Sequence, residues 1–385
     1  MQNERNLLVG ALAQAVAGKP LSLPESVDWA RLCDLADAHK VAPLVYDGLQ
    51  KAGISMPEDS KRRLHRAYMH AVFHDTQMEY CKAQLQSALE EAEVSHIFLK
   101  GTVLKHHYPV PALRTMCDMD VLVYADDFDK IDLVARELGG EGLPGDGNHR
   151  NYAFGNEVAV EFHPNLLHHA TPIGTGINPG WQYAKESSGF TKELTEEGIY
   201  LNTICHLANH FVAGGVGVRF VMDVWVNRHL SKPEADRRFV EEEFKRLGLW
   251  DFARKIEDLA EAWFGNGEMN ECLEELGDYI LSSGSHGTEN QAMLNALSLS
   301  PGGNRFSALW KKAFYPKAEL EDRFPWCKNR PVLLPAAWCV RAFRAVTING
   351  DKIAAWRKGT GQFSKEEIEQ NREKLARMGI QAGKK

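Results

Sequence analysis

The chain lacks a long apolar run. The longest stretch near its C-terminus, Val332 to Val340, is short and interrupted by Pro335, whereas a helix that crosses a bilayer needs about 20 apolar residues. No membrane-spanning helix is expected. The N-terminus also lacks the pattern of a secretory leader, because its apolar stretch is short and Glu4 sits beside Arg5 where a purely positive segment belongs. There is no cysteine framework. The seven cysteines (33, 81, 117, 205, 272, 327 and 339) are scattered, odd in number and free of any C-x-x-C pair, which argues against a disulfide scaffold. Most lie in apolar patterns, so buried free thiols in a reducing cytoplasm are expected. Positive charge is not in excess either. The net charge of −7 gives no overall pull toward nucleic acid or an anionic membrane. Repeats, low-complexity tracts and an H-E-x-x-H zinc motif are missing. What remains is an ordinary soluble composition, 44% hydrophobic and 25% charged over 385 residues, long enough for two or three structural units.

Residues 1–95 read as a helical region. Leu7, Leu8, Leu12 and Val16 recur at helical spacing, and Ser26 is placed to cap a second helix that presents Trp29, Leu32, Leu35 and Ala36. Pro43 opens a third. From Pro57 to about Glu93 there is no further Pro or Gly, and Leu64, Tyr68, Ala71, Val72, Met78, Leu85 and Leu89 form a long amphipathic stripe.

Residues 96–165 change to an α/β pattern. His96 to Leu99 is a short strand ending at Lys100-Gly101, Thr102 to Tyr108 makes one or two helical turns, and Pro109 and Pro111 force a loop. A strand runs through Val121 to Tyr124, Asp126 is placed to cap a helix through Leu138, and five glycines and one proline break the chain over 139–147. Two strands follow, Tyr152 to Phe154 and Val158 to Phe162, joined by Gly155-Asn156 as a hairpin turn. Residues 166–195 are a loop-rich connection, residues 196–348 return to helix, and residues 349–385 form a polar tail. That tail holds one helix, Ser364 to Met378, opened by a capping-box pattern at Ser364 and Glu367. The fold class is α+β: a small mixed sheet flanked by N-terminal and C-terminal helical regions.

The chemistry concentrates in Asp118-Met119-Asp120. Residues i and i+2 of a strand share a face, so the two carboxylates project together while Met119, Val121 and Val123 point into a core. Carboxylates that close repel unless a cation lies between them, and Mg²⁺ or Mn²⁺ suits oxygen ligands. Glu161 lies on the Val158–Phe162 strand and completes a three-carboxylate set if the two strands are neighbours. Lys100, Gly101, Thr102 and Arg114 suit phosphate: a point charge, a close backbone approach, a hydroxyl and a bidentate guanidinium. For Lys100 and Arg114 the competing reading is a salt bridge to Asp118 or Asp120. His163 shares the Glu161 face. His206 and His210 are spaced i, i+4, as are Arg219 and Asp223, which read as an intrahelical pair.

This constellation resembles the nucleotidyltransferase superfamily with a DNA polymerase β-like core, and within it the bacterial family of uncharacterised nucleotidyltransferases. The matching segments are Leu35-Ala36-Asp37-Ala38-His39 with Pro43-Leu44-Val45-Tyr46, then Leu99-Lys100-Gly101, Tyr108, Arg114, Asp118 to Val123 and Val160-Glu161-Phe162-His163, followed by His206 to His210 and Arg219 to Asp223. Gly101-Thr102 stands where the superfamily usually has Gly-Ser or Gly-Gly, and the gap from there to the aspartates is longer than usual. The resemblance implies a nucleotidyltransferase core over 96–165 and Mg²⁺-dependent transfer of a nucleoside monophosphate from an NTP, ATP before others, to an acceptor hydroxyl with release of pyrophosphate. Asp118, Asp120 and Glu161 would be both catalytic residues and metal ligands; Lys100, Gly101, Thr102 and Arg114 would bind the nucleotide; His163, His206, His210, Arg219 and Asp223 would stand on the acceptor side or behind the ligands. A nucleotide-binding scaffold without turnover and a metal-dependent phosphohydrolase are the alternatives. The expected location is the cytoplasm, and the acceptor, with nucleic acid not favoured, is open.

Overall fold

The computed structural model describes residues 2–380 except 144–148, 156–157, 168–172, 174, 186–188, 232–234, 285–286 and most of 301–358. Four helices come first: α1 (Gln2–Ala17), α2 (Trp29–Ala38), α3 (Ala42–Lys51) and α4 (Glu58–Glu91). The cap of α2 is Asp28, whose carboxylate accepts the Arg31 N–H, and not Ser26. Two residues closer to the first turn, Asp28 reaches a free amide that Ser26 does not. With no Gly or Pro inside it, α4 runs 34 residues, about 51 Å. Its buried Leu64, Ala71, Met78, Leu85 and Leu89 form one stripe, as the periodicity predicts, but Val72 falls at the exposed edge.

The α/β part follows as β1 (His96–Phe98), α5 (Gly101–Leu104), β2 (Asp118–Val123), α6 (Phe128–Glu137), β3 (Glu141–Gly142), β4 (Arg150–Phe154) and β5 (Val158–His163). The cap of α6 is Asp127 rather than Asp126, and its side chain makes no capping bond. The β4–β5 turn includes Asn156, which lies outside the described residues. A sixth strand, β6 (Thr191–Lys192), comes from the stretch expected to be only a connection. Its side chains carry almost no strand signal, and it forms because β1 offers a free edge to pair with. The sheet order is β3-β4-β5-β2-β1-β6, with β2/β5 and β1/β6 parallel and the other neighbours antiparallel.

One face of this sheet is dry. Met119, Val121 and Val123 of β2 and Val158, Val160 and Phe162 of β5 pack with Ile131 and Val134 of α6 and Met78, Leu85 and Leu89 of α4. Alternation then sends Asp118, Asp120, Glu161 and His163 to the opposite face. That face is covered by α7 (Glu196–Val212) and α8 (Val218–Leu230), which lead into α9 (Arg237–Leu247), α10 (Trp250–Phe264), α11 (Glu271–Ser283), α12 (Glu289–Ser298) and α13 (Lys365–Arg377). The N-terminal helices do not form a core of their own. Leu7, Leu8 and Leu12 of α1 share one apolar cluster with Phe211, Phe252, Ile256 and Ile280. The tail helix has the capping box read from Ser364 and Glu367, and it is docked: Leu375 and Met378 join the same cluster, and the Asn371 amide donates to Asn295 and Ser298.

All seven cysteines are free. Cys33, Cys205 and Cys327 are buried as expected, while Cys117 and Cys339 are exposed. Among the described residues no helix is long and apolar enough to cross a membrane.

Candidate functional site

Register builds the site. In the parallel β2/β5 pair Asp120 stands opposite Glu161 and Leu122 opposite His163. Residues facing each other across neighbouring strands have Cβ atoms about 5 Å apart, so two acidic side chains 41 positions distant in sequence become neighbours. One ligand atom each from Asp120, Glu161 and His163 lies within 4.8 Å of the others. The His163 Nε2 is 2.9 Å from Asp120 Oδ1 and 3.3 Å from Glu161 Oε2. Asp118 shares the face one step along β2, outside that closest group. The donor set nearest to a point is therefore two carboxylates and an imidazole, rather than the three carboxylates expected.

Lys100, between β1 and α5, closes the cluster, its Nζ 2.6 Å from Asp120 Oδ1. This is the salt bridge that competed with phosphate contact in the sequence reading. Its backbone has φ 49° and ψ −122°, a region in which a side-chain-bearing residue costs roughly 1–3 kcal/mol and which clusters at functional sites. The next helix, α5, has one turn, so it offers little dipole to an anion. Gly101 is needed for another reason: a Cβ there would sit 2.4 Å from Arg114 Nη1 and 2.9 Å from Met116 Sδ. Thr102 is buried, with its hydroxyl against Met116.

Electrostatics mark the cluster as under tension. Burial and the neighbouring Asp120 charge raise the Asp118 pKa above the ordinary carboxylate range. Burial acts on Asp120 in the same sense, yet the Lys100 ammonium and the His163 hydrogen bond outweigh it and hold Asp120 well below that range. The His163 hydrogen bond lowers Glu161. Burial disfavours the His163 imidazolium, but its bonds to Asp120 and Glu161 prevail and raise its pKa. An additional cation here would relieve the Asp118–Asp120 repulsion, so the residues fit a divalent ion.

Arg114 is committed elsewhere. Buried, it grips Asp223 of α8 with Nε at 3.0 Å and Nη2 at 2.7 Å, and the Tyr108 hydroxyl donates to the same carboxylate at 2.7 Å. Asp223 is thus not the intrahelical partner of Arg219, whose Nη1 donates to the Thr115 carbonyl at 2.6 Å. Both arginines tie the loop before β2 to α8. No spacing rule links positions 109 apart, so sequence reasoning had no access to this pair. Next to it Lys105, fully buried, is held by Asp75 and Glu79 of α4.

These side chains surround a cavity of about 690 Å³. Asp118, Asp120, Glu161 and His163 line it together with four lysines: Lys82 from α4, Lys100, and Lys185 and Lys192 from the segment between β5 and α7. The α7 wall contributes His206 and His210, whose Nε2 atoms are 3.0 Å apart with the Phe220 ring against both. Burial, then the Lys100 charge, keep His206 far below the usual histidine range. The same wall carries Asn202, Thr203 and Asn209, which the sequence reading passed over. Their signal was there, as polar positions at helical spacing in an otherwise apolar helix.

Fold and cluster define an α+β protein in which two carboxylates and an imidazole could hold a metal ion at the side of a cavity. A family model described as uncharacterised nucleotidyltransferase matches residues 25–265, more than half of the chain, and the protein belongs to that family. The helical regions therefore flank a nucleotidyltransferase core. No curated protein and no solved structure matches the chain.

Proposed function

We propose that the protein is a divalent-metal-dependent nucleotidyltransferase that moves a nucleoside monophosphate from an NTP to an acceptor hydroxyl and releases pyrophosphate. The observation that carries this reading is the convergence of Asp120, Glu161 and His163, with Asp118 beside them, on one side of a cavity that also holds four lysines. Asp118, Asp120 and Glu161 would hold Mg²⁺ or Mn²⁺, with His163 as a further donor. When bound, the metal supplies charge neutralisation for the attacking and leaving oxygens.

The chain's own residues do the rest. Lys100 exchanges its bond to Asp120 for a phosphate oxygen once another positive charge satisfies that carboxylate. Lys82, Lys185 and Lys192 give the polyanion a cationic wall. Glu161 accepts the proton of the acceptor hydroxyl, and His163 orients it. Gly101 lets Arg114 pass close to the loop, so Arg114, Gly101 and Thr102 shape the nucleotide side of the cavity. Covering by α7 excludes water, which strengthens each of these interactions.

The test is pyrophosphate release with an NTP, Mg²⁺ or Mn²⁺ and an acceptor panel, alongside calorimetry of NTP binding. Asp118→Ala and Asp120→Ala should abolish release while far-UV circular dichroism is unchanged. Wild-type rates in either variant would refute the assignment. Free nucleoside monophosphate as the product would point to hydrolysis, and metal-dependent binding with no release to a scaffold.

A further inference from the structure

The polar face of α7 contributes no residue to the Asp120, Glu161 and His163 cluster. Between Gly198 and Ala213 the chain has no Asp, Glu, Lys or Arg, and within this span Asn202, Thr203, His206, Asn209 and His210 line the cavity. The remaining faces bury Leu201, Ile204, Leu207 and Phe211. A buried polar atom without a partner costs roughly 1–3 kcal/mol. Two such atoms sit on this wall: Oδ1 of Asn202 and Oδ1 of Asn209 have no hydrogen-bond partner among the described residues, although the residues are only 3% and 7% exposed. The Asn209 amide nitrogen is fixed by the Ile173 and Cys205 carbonyls, so its orientation is set and its oxygen is left over. His107, also lining the cavity, has an Nε2 with no hydrogen-bond partner among the described residues. Buried, unpaired acceptors in one cavity are what a hydrogen-bond-donating ligand satisfies.

Spacing and charge narrow the ligand. Asn202 and Asn209 are two helical turns apart, about 10.5 Å along the axis. A single exocyclic amine on a nucleobase cannot serve both. Between Gly198 and Ala213 the wall holds no cation to meet an anionic acceptor and no carboxylate to meet a cationic one, and Glu196 at the helix start is engaged by Lys185 and Ser231. Phe220 adds an apolar ring beside the two histidines. Spaced acceptors around an aromatic surface suit a molecule with hydroxyls on its edge and C–H groups on its face.

We infer that the polar face of α7 is the acceptor subsite and that it takes an uncharged molecule with several spaced hydroxyls, a sugar or other polyol. The inference rests on the nucleotidyl-transfer reading. One acceptor hydroxyl oxygen bonds to the α-phosphorus, the bond from that phosphorus to the bridging oxygen breaks, pyrophosphate leaves with the electron pair, and the hydroxyl proton passes to Glu161.

The experiment measures pyrophosphate release by the full chain with each NTP and Mg²⁺ or Mn²⁺. Four acceptor sets are compared: neutral hexoses, disaccharides and inositol; the corresponding sugar phosphates; serine- and tyrosine-containing peptides; and short RNA. Neutral polyols should turn over at least tenfold faster than the other sets. Asn202→Leu and Asn209→Leu should each raise the acceptor KM at least tenfold and leave the NTP KM unchanged. If a leucine variant does not fold, Asn202→Ser, smaller and still polar, should show the same KM rise. Asn202→Asp should move preference toward an amino sugar over its neutral parent. Faster turnover of a charged or macromolecular acceptor overturns the inference, as does an unchanged acceptor KM in folded variants. Calorimetric NTP binding without turnover of any polyol overturns it while sparing NTP binding; no metal-dependent NTP binding at all overturns both readings.

Discussion

Arg114 and Asp223, 109 positions apart, form a two-pronged buried ion pair that joins the loop before β2 to α8. Each charge has left water, and each depends on the other. Removing one strands its partner, which costs about 3–5 kcal/mol. Arg114→Ala and Asp223→Ala should each lower the unfolding free energy by that amount, read as a lower midpoint in urea. Arg114→Met combined with Asp223→Leu should be less damaging than either single alanine. A large loss of activity with unchanged stability would instead mean that Arg114 serves the substrate directly.

The His163 imidazole in the donor cluster bears on metal choice. Mg²⁺ strongly prefers oxygen, while Mn²⁺ also accepts nitrogen. Pyrophosphate release should be at least as fast with Mn²⁺ as with Mg²⁺. His163→Gln should reduce the Mn²⁺-to-Mg²⁺ rate ratio by about tenfold, in the range seen when residues around a metal are altered. An unchanged ratio would place His163 outside the coordination sphere.

Stability should fall in mild acid, through histidines buried as neutral rings. His39 lies between the Leu281 carbonyl and the Val218 N–H, and His96 between the Val94 carbonyl and the Thr191 hydroxyl. Burial lowers both pKa values, more than the bonds to the Leu281 and Val94 carbonyls raise them. Below about pH 6.5 the unfolded chain binds protons that the folded chain does not, so the stability of the fold declines as pH falls from 7 toward 5. The slope approaches about 1.4 kcal/mol per pH unit for each histidine. Urea unfolding at a series of pH values measures it, and His39→Gln should flatten the curve.

Glu90, at the end of α4, holds the edge strand. Its carboxylate accepts the N–H groups of Phe190 and Thr191, and these bonds lower its pKa. The attachment is therefore complete above about pH 4.3, the ordinary glutamate value, and weakens only as pH falls through the lower folded value. Glu90→Ala should speed hydrogen exchange at Thr191 and Lys192 while β2 and β5 stay protected. Equal exchange in the variant would show that β1 pairing alone secures β6.

Much of the architecture is present in local patterns. The Gly- and Pro-free span from 58 to 91, the capping box at Ser364 and the period-two alternation of Met119, Val121 and Val123 each act over a few residues. Helix and strand formation is governed by forces of that range, so these elements read directly. The caps at Asp28 and Asp127 missed by one or two positions because several short polar residues compete at a helix start and backbone geometry chooses between them. Strand β6 had no local signal, since an edge pairs through backbone groups that every residue carries.

The sequence by itself determined that Asp118 and Asp120 share a face, that Glu161 and His163 share another, and that His206 and His210 fall one turn apart on one helix. Only tertiary structure decided that β2 and β5 lie parallel in the register that sets Asp120 against Glu161, that His163 joins them, and that Arg114 turns to Asp223. Side-chain direction follows from backbone periodicity within one element. Which elements meet, and in what register, follows from burying the apolar faces of all of them at once, and no single segment contains that information.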